Sequence, residues 1–287
     1  MADYSIWALE FARLPGYPDA ALVLGKHDGS RMLSFYYFVV QSEDRVILID
    51  SGFSDNDFCS EQIEAYGIEE FSRPDKIMAR IGLTPEDVDT IIITHHHWDH
   101  ISGLNYFPNA NVYIQQREVD NWMAKWGTPG PMRWLAFGLD PGTAADLARI
   151  GEEGRLRLVQ GVADVTDGIQ VRPAFDTHTA GSHYIVVEAG DGGAPFVFPG
   201  DVAYVYDNIG GLDGTEPMAP VGHLQGSTEC CIRSTYEMLT TAGNDSTRVF
   251  PSHENRLWDR LPSISFDDGL HVAEIQLAPG VASRIGR

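Results

Sequence analysis

Residues 89–100, which read DTIIITHHHWDH, decide how the rest of the chain is interpreted. Residues 91–93 are a β-branched run, which is typical of a strand buried on both faces of a sheet. His95, His97, Asp99 and His100 follow directly. Their imidazole and carboxylate groups are ligands that suit zinc, iron or manganese. A tight loop would turn such alternating side chains inward, so we expect a metal site at the end of a core strand, with enough ligands to serve two adjacent ions.

The composition describes an ordinary globular protein. At 287 residues, 43% of them hydrophobic and 21% charged, the chain is long enough for one large domain with a sizeable core. It shows no internal repeat, low-complexity stretch or linker, so we predict a single domain over residues 1–287. The net charge of −21 disfavours nucleic acid and anionic membrane surfaces as partners, because both are negatively charged. The oligomeric state is left open, a homodimer included.

The sequence favours a cytoplasmic location. No apolar run approaches the length of a membrane span, and residues 1–10 lack the basic start and apolar stretch of a signal peptide. The cysteines, Cys59, Cys230 and Cys231, offer no disulfide framework, since neighbouring cysteines rarely pair with each other. We expect them to be small buried apolar residues.

Apolar and β-branched runs alternate with turn residues along the chain. They predict strands at residues 4–11, 32–41, 45–50, 111–114, 155–159, 169–175, 185–188, 195–198 and 248–250. Helical segments are predicted within residues 59–80, where Pro74 opens the last segment and Gly82 stops it, and at residues 228–241. Turns are predicted at residues 14–19 and 190–193, and residues 256–287 are a tail of weak pattern. Residues 117–155 form a Trp-rich insertion, which is either ordinary helix packing or the apolar wall of a ligand pocket.

Three further strands end in a residue that can bind a metal. The dipeptides are Thr177-His178, Gly200-Asp201 and Ser252-His253. Strand ends are where a rigid scaffold places reactive side chains. The predicted ligand sets are His95, His97 and His178 for one ion, Asp99, His100 and His253 for the other, and Asp201 as a bridge between them. Three protein ligands per ion leave a position open for water or substrate, as in catalytic sites.

The pattern His95-x-His97-x-Asp99-His100, followed in order by His178, Asp201 and His253, resembles the metallo-β-lactamase superfamily, over about residues 32–253. The resemblance implies an α/β fold, the four-layer αβ/βα sandwich, with a dinuclear site at the sheet edges. It also implies that Asp50 supports the metal ligands, which agrees with the need to orient imidazoles.

Within the superfamily the sequence is most similar to the N-acyl-homoserine-lactone lactonase group, whose activity is known as quorum quenching. Tyr204 stands three residues after Asp201, where that group has a tyrosine that contacts the substrate carbonyl. Residues 178–183, HTAGSH, resemble the group's His-Thr-Pro-Gly-His segment, with alanine in place of proline and one residue more.

The resemblance implies a dinuclear metal hydrolase that opens a lactone ring. Two divalent ions per chain, Zn²⁺ or else Fe or Mn, would hold a bridging hydroxide that attacks the carbonyl carbon. Tyr204 would stabilise the oxyanion, and Asp99 would carry the proton to the leaving alkoxide. The acidic composition favours a neutral or apolar cyclic ester as substrate.

Alternative functions remain on the sequence alone. A thioester hydrolase, such as hydroxyacylglutathione hydrolase, would need a basic cluster that is not visible near the motifs. An iron-dependent oxidoreductase shares much of the ligand set, but the flavodiiron type would bring a flavodoxin-like domain for which this chain has no room. A non-catalytic binding protein would be expected to have lost ligands.

The remaining histidines are interpreted as structural. We expect His96 to be a packed or solvent-facing neighbour of the ligands and His183 to support the site or lie in the core. His27, His223 and His271 have no ligand context and are predicted to be surface or structural residues.

Overall fold

The computed structural model describes residues 3–190 and 192–285, and the following elements belong to that part of the chain. The strands are β1 Ser5–Pro18, β2 Ser30–Gln41, β3 Val46–Ile49, β4 Thr90–Ile92, β5 Asn111–Gln115, β6 Leu156–Val159, β7 Ala163–Thr166, β8 Ile169–Pro173, β9 His183–Val187, β10 Phe196–Phe198, β11 Ser263–Ser265 and β12 His271–Gln276. The α-helices are α1 Asp19–Leu22, α2 Asp57–Tyr66, α3 Pro74–Ile77, α4 Trp98–Ile101, α5 Gln116–Lys125, α6 Thr143–Glu152, α7 Thr228–Thr241 and α8 Leu257–Arg260. Short 3-10 helices lie at Met78–Ile81, Pro85–Asp87, Leu104–Tyr106, Gly130–Ala136, Gly200–Val202, Tyr206–Ile209 and Ser246–Arg248.

The described strands form two sheets. An eight-stranded sheet has the order β11-β12-β1-β2-β3-β4-β5-β6, and a four-stranded sheet has the order β10-β9-β8-β7. Strands β3 to β6 run parallel, whereas all the other pairs are antiparallel. The carboxyl ends of the parallel strands therefore meet at one edge of the larger sheet, which is where ligands bind in open α/β sheets.

Alternation along the strands divides the core into layers. Ile6 of β1 and Phe38 of β2 pack in one apolar cluster with Ile185 and Phe198 of the smaller sheet, so the two sheets face each other. The Phe38 and Phe198 ring centroids are 4.6 Å apart. Along each strand, the side chains at the alternate positions point to the opposite face of the sheet, toward the helices that cover it.

Helices lie on both outer faces. On the larger sheet, Leu48 of β3 belongs to the same apolar cluster as Ile77 of α3 and Leu147 of α6. On the smaller sheet, the Tyr184 hydroxyl donates to Glu237 of α7 over 2.9 Å. The order helix, sheet, sheet, helix confirms the predicted four-layer α/β sandwich. No helix in the described ranges is both long and apolar enough to cross a membrane.

Most predicted strands are confirmed, but the turn at residues 14–19 is wrong. β1 continues to Pro18, which pairs with Ser30 of β2. The register shifts between Leu14 and Tyr17, around Gly16 with its positive φ of 69°. The glycine and proline residues thus make a β-bulge, which bends the strand without ending it.

The C-terminal region holds more structure than its weak pattern indicated. Residues 256–285 contain α8, β11 and β12, and β12 pairs with β1 at the other end of the chain. The predicted strand at 248–250 is also wrong, because Ser246–Arg248 is a 3-10 helix and Val249 makes only an isolated bridge to Val197. The antiparallel pairing of β9 and β10 agrees with a hairpin, although the predicted turn at 190–193 includes Asp191, outside the described residues.

Candidate metal centre

The predicted ligands come from several loops at neighbouring sheet edges. His95 and His97 follow β4, and Asp99 and His100 lie in the short helix α4. His178 lies between β8 and β9, and Asp201 lies in the 3-10 helix after β10. All of the predicted ligands are buried except Asp99, which is partly exposed.

The first cluster consists of His95, His97, His178 and one oxygen of Asp201. His97 Nδ1 lies 3.0 Å from His95 Nε2 and 2.7 Å from His178 Nε2. Asp201 Oδ2 lies 3.4 Å from His178 Nε2 and 3.6 Å from His95 Nε2. Three imidazole nitrogens and a carboxylate oxygen therefore converge on one point.

The second cluster consists of Asp99, His100, His253 and the other oxygen of Asp201. Asp201 Oδ1 lies 3.1 Å from His100 Nε2 and 3.3 Å from His253 Nε2. Asp99 Oδ2 lies 3.5 and 3.6 Å from the same two nitrogens. Since Oδ2 faces the first cluster and Oδ1 the second, Asp201 has the orientation that a bridging ligand needs.

Hydrogen bonds behind the clusters define which nitrogen of each ring faces inward. His178 Nδ1 lies 2.6 Å from the carbonyl oxygen of His223, and His253 Nδ1 lies 3.0 Å from that of Ser34. A carbonyl only accepts, so both rings carry their proton on Nδ1 and direct the lone pair of Nε2 into the cluster.

Asp50 and Thr94 orient the two remaining candidate Nε2 ligands, which belong to His95 and His100. His100 Nδ1 lies 2.8 Å from Asp50 Oδ2, and His95 Nδ1 lies 3.0 Å from the Thr94 hydroxyl. That hydroxyl donates in turn to Asp50 Oδ2 over 2.9 Å, while the Thr94 amide donates to Oδ1 over 2.7 Å. Asp50 therefore supports both clusters, as the sequence predicts.

Burial lowers the pKa of the histidines of the first cluster, His95, His97 and His178. Their rings are therefore neutral at neutral pH, the form that binds metals.

In the second cluster, the pKa of His100 is shifted in the opposite direction. Burial opposes a charge on His100, but Asp201 and Asp99 outweigh it and hold the pKa of that imidazole well above its usual value. Burial likewise opposes ionisation of Asp201, yet His100 and His253 hold its pKa well below the usual range. The carboxylates of Asp99 and Asp201 thus favour positive charge at this point.

The donor set fits a pair of divalent ions. The buried His100 Nε2 has no hydrogen-bond partner among the described residues, although Asp201 Oδ1 is only 3.1 Å away. In each cluster, the four candidate donor atoms lie within 4.8 Å of one another. Imidazoles and carboxylates are the ligands of zinc, iron and manganese sites.

The clusters lie on the floor of a cavity of about 640 Å³, within the range of roughly 300–1,000 Å³ for ligand pockets. Its walls combine apolar and polar side chains. The apolar and aromatic residues that line it include Leu14, Leu22, Leu33, Phe35, Trp98, Trp134, Leu135, Phe137 and Leu224. Lys125 is the cationic side chain among its described lining residues.

Tyr204 and Asp99 both line this cavity. The Tyr204 ring is 6% exposed and lies edge-on to the ring of His178, with centroids 5.5 Å apart. Burial, reinforced by Asp201, raises the pKa of the phenol well above its usual value. Tyr204 therefore keeps its proton at neutral pH and is able to donate a hydrogen bond.

The Trp-rich insertion combines both predicted roles. Trp122 is fully buried and packs on the His97 ring, with centroids 5.5 Å apart. Trp134 is 70% exposed, stacks on Phe137 and lines the cavity. The helical part of the insertion is thus core, and residues 126–138, which we call the wall segment, form one side of the pocket.

His223 is a pocket residue that sequence reasoning missed. It lines the cavity, and its Nε2 lies 3.1 Å from the hydroxyl of Tyr17, which also lines the cavity. Its carbonyl orients His178. No motif marks this position, because it enters the site from a loop far along the chain.

The other histidines agree with their predicted structural roles. His96 is buried, with its Nε2 2.8 Å from the Thr143 hydroxyl, and His183 is fully buried at the start of β9. His27 is exposed, and His271 Nδ1 lies 2.8 Å from Glu10.

The fold and the ordered ligand motif match a known family. The family model of the metallo-beta-lactamase superfamily matches residues 31–253, most of the chain. The protein therefore belongs to the metallo-beta-lactamase superfamily.

Similar proteins within it include several lactonases. The N-acyl homoserine lactonase of Bacillus cereus is 28% identical over 97 residues, 31% of this chain and 39% of the relative. The N-acyl homoserine lactonase AttM of Azorhizobium caulinodans is 25% identical over 190 residues, 62% of each protein. The matches thus span less than two thirds of either relative. Among solved structures, AidC, a dizinc quorum-quenching lactonase in complex with the product N-hexanoyl-L-homoserine, aligns with a TM-score of 0.63 and 15% identity over 99% of this chain and 97% of AidC. At that identity the likeness concerns the fold.

Proposed function

We propose that this protein is a dinuclear metal-dependent lactonase. The observation that carries the proposal is the orientation of Asp201, which directs one oxygen into each of two histidine clusters on the floor of the pocket. We further infer that residues 1–287 act as one catalytic domain. The pairing of β12 with β1 supports this, because it joins the two ends of the described chain in one sheet.

Each cluster would hold one divalent ion. The proposed ligands are His95, His97 and His178 for the first ion, Asp99, His100 and His253 for the second, and Asp201 for both. Zinc is the first candidate, with iron and manganese as alternatives, because all three accept this ligand set. When bound, such ions supply an activated water nucleophile and polarise an ester carbonyl.

Tyr204 is suited to stabilise the carbonyl oxygen of the substrate as negative charge develops on it. Its hydroxyl lies 3.4 Å from His178 Nδ1, but that nitrogen already donates to the His223 carbonyl and does not accept. The phenol proton is thus left for a group within the cavity. A hydrogen-bond donor aimed at a developing oxyanion accelerates acyl transfer, because its hydrogen bond is stronger in the transition state than with the ground-state carbonyl.

Asp99 is suited to move the proton. His100 counteracts the burial of Asp99 and lowers the pKa of its carboxyl, which is therefore ionised at neutral pH. Because Asp99 lines the cavity, it can accept the proton of the attacking water and pass it to the alkoxide oxygen when the ring C–O bond breaks.

The walls of the pocket favour an apolar substituent on the lactone. Phe35, Trp134 and Phe137 offer aromatic surface to a ligand. The curated relatives are named N-acyl homoserine lactonases, so we propose an N-acyl homoserine lactone as substrate. Quorum quenching would be the corresponding role.

The test is a substrate panel assayed on protein of measured metal content. N-acyl homoserine lactones with short and long acyl chains are compared with a γ-lactone, an aryl ester and the thioester S-lactoylglutathione. Hydrolysis of acyl lactones well above the others, lost with a chelator and restored by Zn²⁺ or Mn²⁺, supports the proposal. Preference for the thioester would contradict it, as would lactone turnover that survives complete metal removal.

A further inference from the structure

Glu118, in the first turn of α5, is a buried carboxylate with no role in the chemistry described so far. It is 0% exposed and accepts four hydrogen bonds from the part of the chain that the structure describes. Burying a carboxylate is costly unless its oxygens are well bonded. The four donors satisfy both oxygens of the buried Glu118 side chain.

The four donors come from both loops of the first cluster and from α5 itself. Oε1 accepts the backbone N–H of His96 at 3.0 Å and the Trp122 indole N–H at 2.7 Å. Oε2 accepts the Thr179 hydroxyl at 2.9 Å and the backbone N–H of Gly181 at 2.7 Å. His96 separates the ligands His95 and His97, and Thr179 follows the ligand His178. One carboxylate thus joins the two loops that carry the imidazoles of the first cluster.

The loop after His178 packs tightly against α5. A Cβ on Gly181 would lie 2.3 Å from the backbone nitrogen of Glu118, so the loop after His178 packs directly on the first turn of α5. Glycine is required there for close backbone approach.

The C-terminal end of the wall segment contacts the loop that carries His95 and His97. The Gly138 carbonyl accepts the backbone N–H of Trp98 at 2.8 Å, and a Cβ on Gly138 would lie 2.7 Å from the His97 ring. Glu118 before the wall segment and Gly138 at its end therefore both contact the loop of His95 and His97.

We propose that Glu118 is a positioning residue that holds the His95–His97 loop and the His178 loop at the separation that one metal ion requires. The inference rests on the proposed metal centre and assigns to it a residue outside the ligand motif. Outer partners of metal ligands commonly tune metal affinity about 10–100-fold.

The charge of Glu118 provides a sharp test. In Glu118→Gln the side chain keeps its shape, but its amide NH₂ must face donors. Placed at Oε2 it meets the Gly181 N–H, and placed at Oε1 it meets the N–H groups of His96 and Trp122. Either orientation leaves at least one backbone N–H without an acceptor and separates one loop from its anchor.

The measurement is Zn²⁺ affinity by competition with a chromophoric chelator, together with the visible absorption spectrum of the Co²⁺-loaded protein. Glu118→Gln is expected to weaken one Zn²⁺ site about tenfold or more and to change the Co²⁺ spectrum. Glu10→Gln is the matched control. Glu10 is equally buried but bonds to Arg13 and His271, so this variant should retain the parent affinity and spectrum.

If Glu118→Gln does not fold, Thr179→Val replaces it, since that change removes the hydroxyl that bonds Glu118 and Ser182 but leaves the bonds from the His96 and Gly181 N–H groups to Glu118 in place. A weakened site in Thr179→Val then supports the inference.

Parent-like Zn²⁺ binding in a folded Glu118→Gln, or in Thr179→Val if it stands in, overturns the positioning role while leaving the lactonase proposal intact. Equal weakening in Glu10→Gln also overturns it, because the effect would then be general destabilisation. A parent protein that binds no metal would overturn the metal centre itself.

Discussion

Asp50 and His100 are joined by a hydrogen bond of 2.8 Å between Oδ2 and Nδ1, although they follow two different strands. Asp50 follows β3 in the left-handed region, with a φ of 64°, which costs energy for a residue other than glycine. The parallel pairing of β3 with β4 brings that turn beside the metal loop. The strained backbone thus lies where it helps to aim a ligand.

Asp50→Asn should weaken metal binding by about 10–100-fold at the second cluster without unfolding the protein. The new amide would present N–H to His100 Nδ1, which favours the tautomer with the proton on Nε2, where the ion binds. Isothermal titration with Zn²⁺ measures the effect. Ser51→Ala is the control, because the Ser51 hydroxyl bonds only the backbone carbonyl of His100; equal losses in both variants would contradict the tautomer argument.

Much of the candidate metal centre could be predicted from sequence, because several of its proposed ligands follow buried strands. The apolar run before His95 predicts a central strand, and β4 occupies that position between β3 and β5. The strand ends before His178 and Asp201 also lie at the site. Local pattern suffices for these residues, since each of them is recognisable as a candidate ligand by its residue type and by its position after a strand.

Other features depend on contacts that local pattern does not encode. Glu118 follows the predicted strand at 111–114, but an acidic residue in the first turn of a helix is ordinary. Its role emerges only when the loop after His178 packs on it. Similarly, β12 is recognisable only through its pairing with β1, more than 260 residues away. His223 enters the pocket from a loop with no regular pattern.

Tyr204→Phe should lower kcat roughly tenfold to a hundredfold and leave metal content unchanged. The fall is smaller than for a lone oxyanion donor because a metal would share the same oxygen. Steady-state kinetics on an acyl lactone, with elemental analysis, provides the measurement. Tyr206→Phe, a buried tyrosine outside the lining of the pocket, should behave like the parent. Turnover at the parent rate in Tyr204→Phe would make Tyr204 a packing residue.

The metal stoichiometry should be two per chain in the fully loaded parent and lower in Asp201→Asn. The amide has one oxygen and no charge, so it cannot serve both clusters as an anionic bridge. Inductively coupled plasma mass spectrometry gives the count and the metal. Asp207→Asn is the control, because Asp207 bonds Arg31 and Arg256 instead of the clusters. One equivalent in the active parent would exclude the dinuclear assignment.

Trp122 and Trp134, both in the insertion, should respond differently to replacement. Trp122→Ala is expected to lower the free energy of unfolding by about 3–5 kcal/mol, because its fully buried ring leaves a cavity. Trp134→Ala should change stability by no more than about 0.5 kcal/mol, but reduce kcat/KM for long acyl chains more than for short ones. Urea denaturation and a chain-length series separate the effects. A uniform loss for every substrate in Trp134→Ala would contradict its place in the acyl site.

His183 provides a test of pH-dependent stability. Burial lowers the pKa of its imidazole to about 3 in the folded protein, whereas the unfolded chain has the ordinary value of about 6.5. Between these values the unfolded state binds more protons than the folded state, so folding stability falls as the pH is lowered from 6.5 toward 3.

His183→Leu removes this contribution and should flatten the pH dependence of stability. Relative to the parent, the variant's free energy of unfolding should rise by about 1.4 kcal/mol for each pH unit below 6.5, because one proton no longer distinguishes the two states. Above pH 7 the difference between the proteins should be constant and reflect packing alone. Urea denaturation from pH 4.5 to 8 measures both limbs, and His27→Gln, at an exposed position, is the control. If the free energy of unfolding of the parent and of His183→Leu changed in parallel down to pH 4.5, the prediction would be contradicted. The His183 imidazole would then bind the same number of protons in the folded and the unfolded protein.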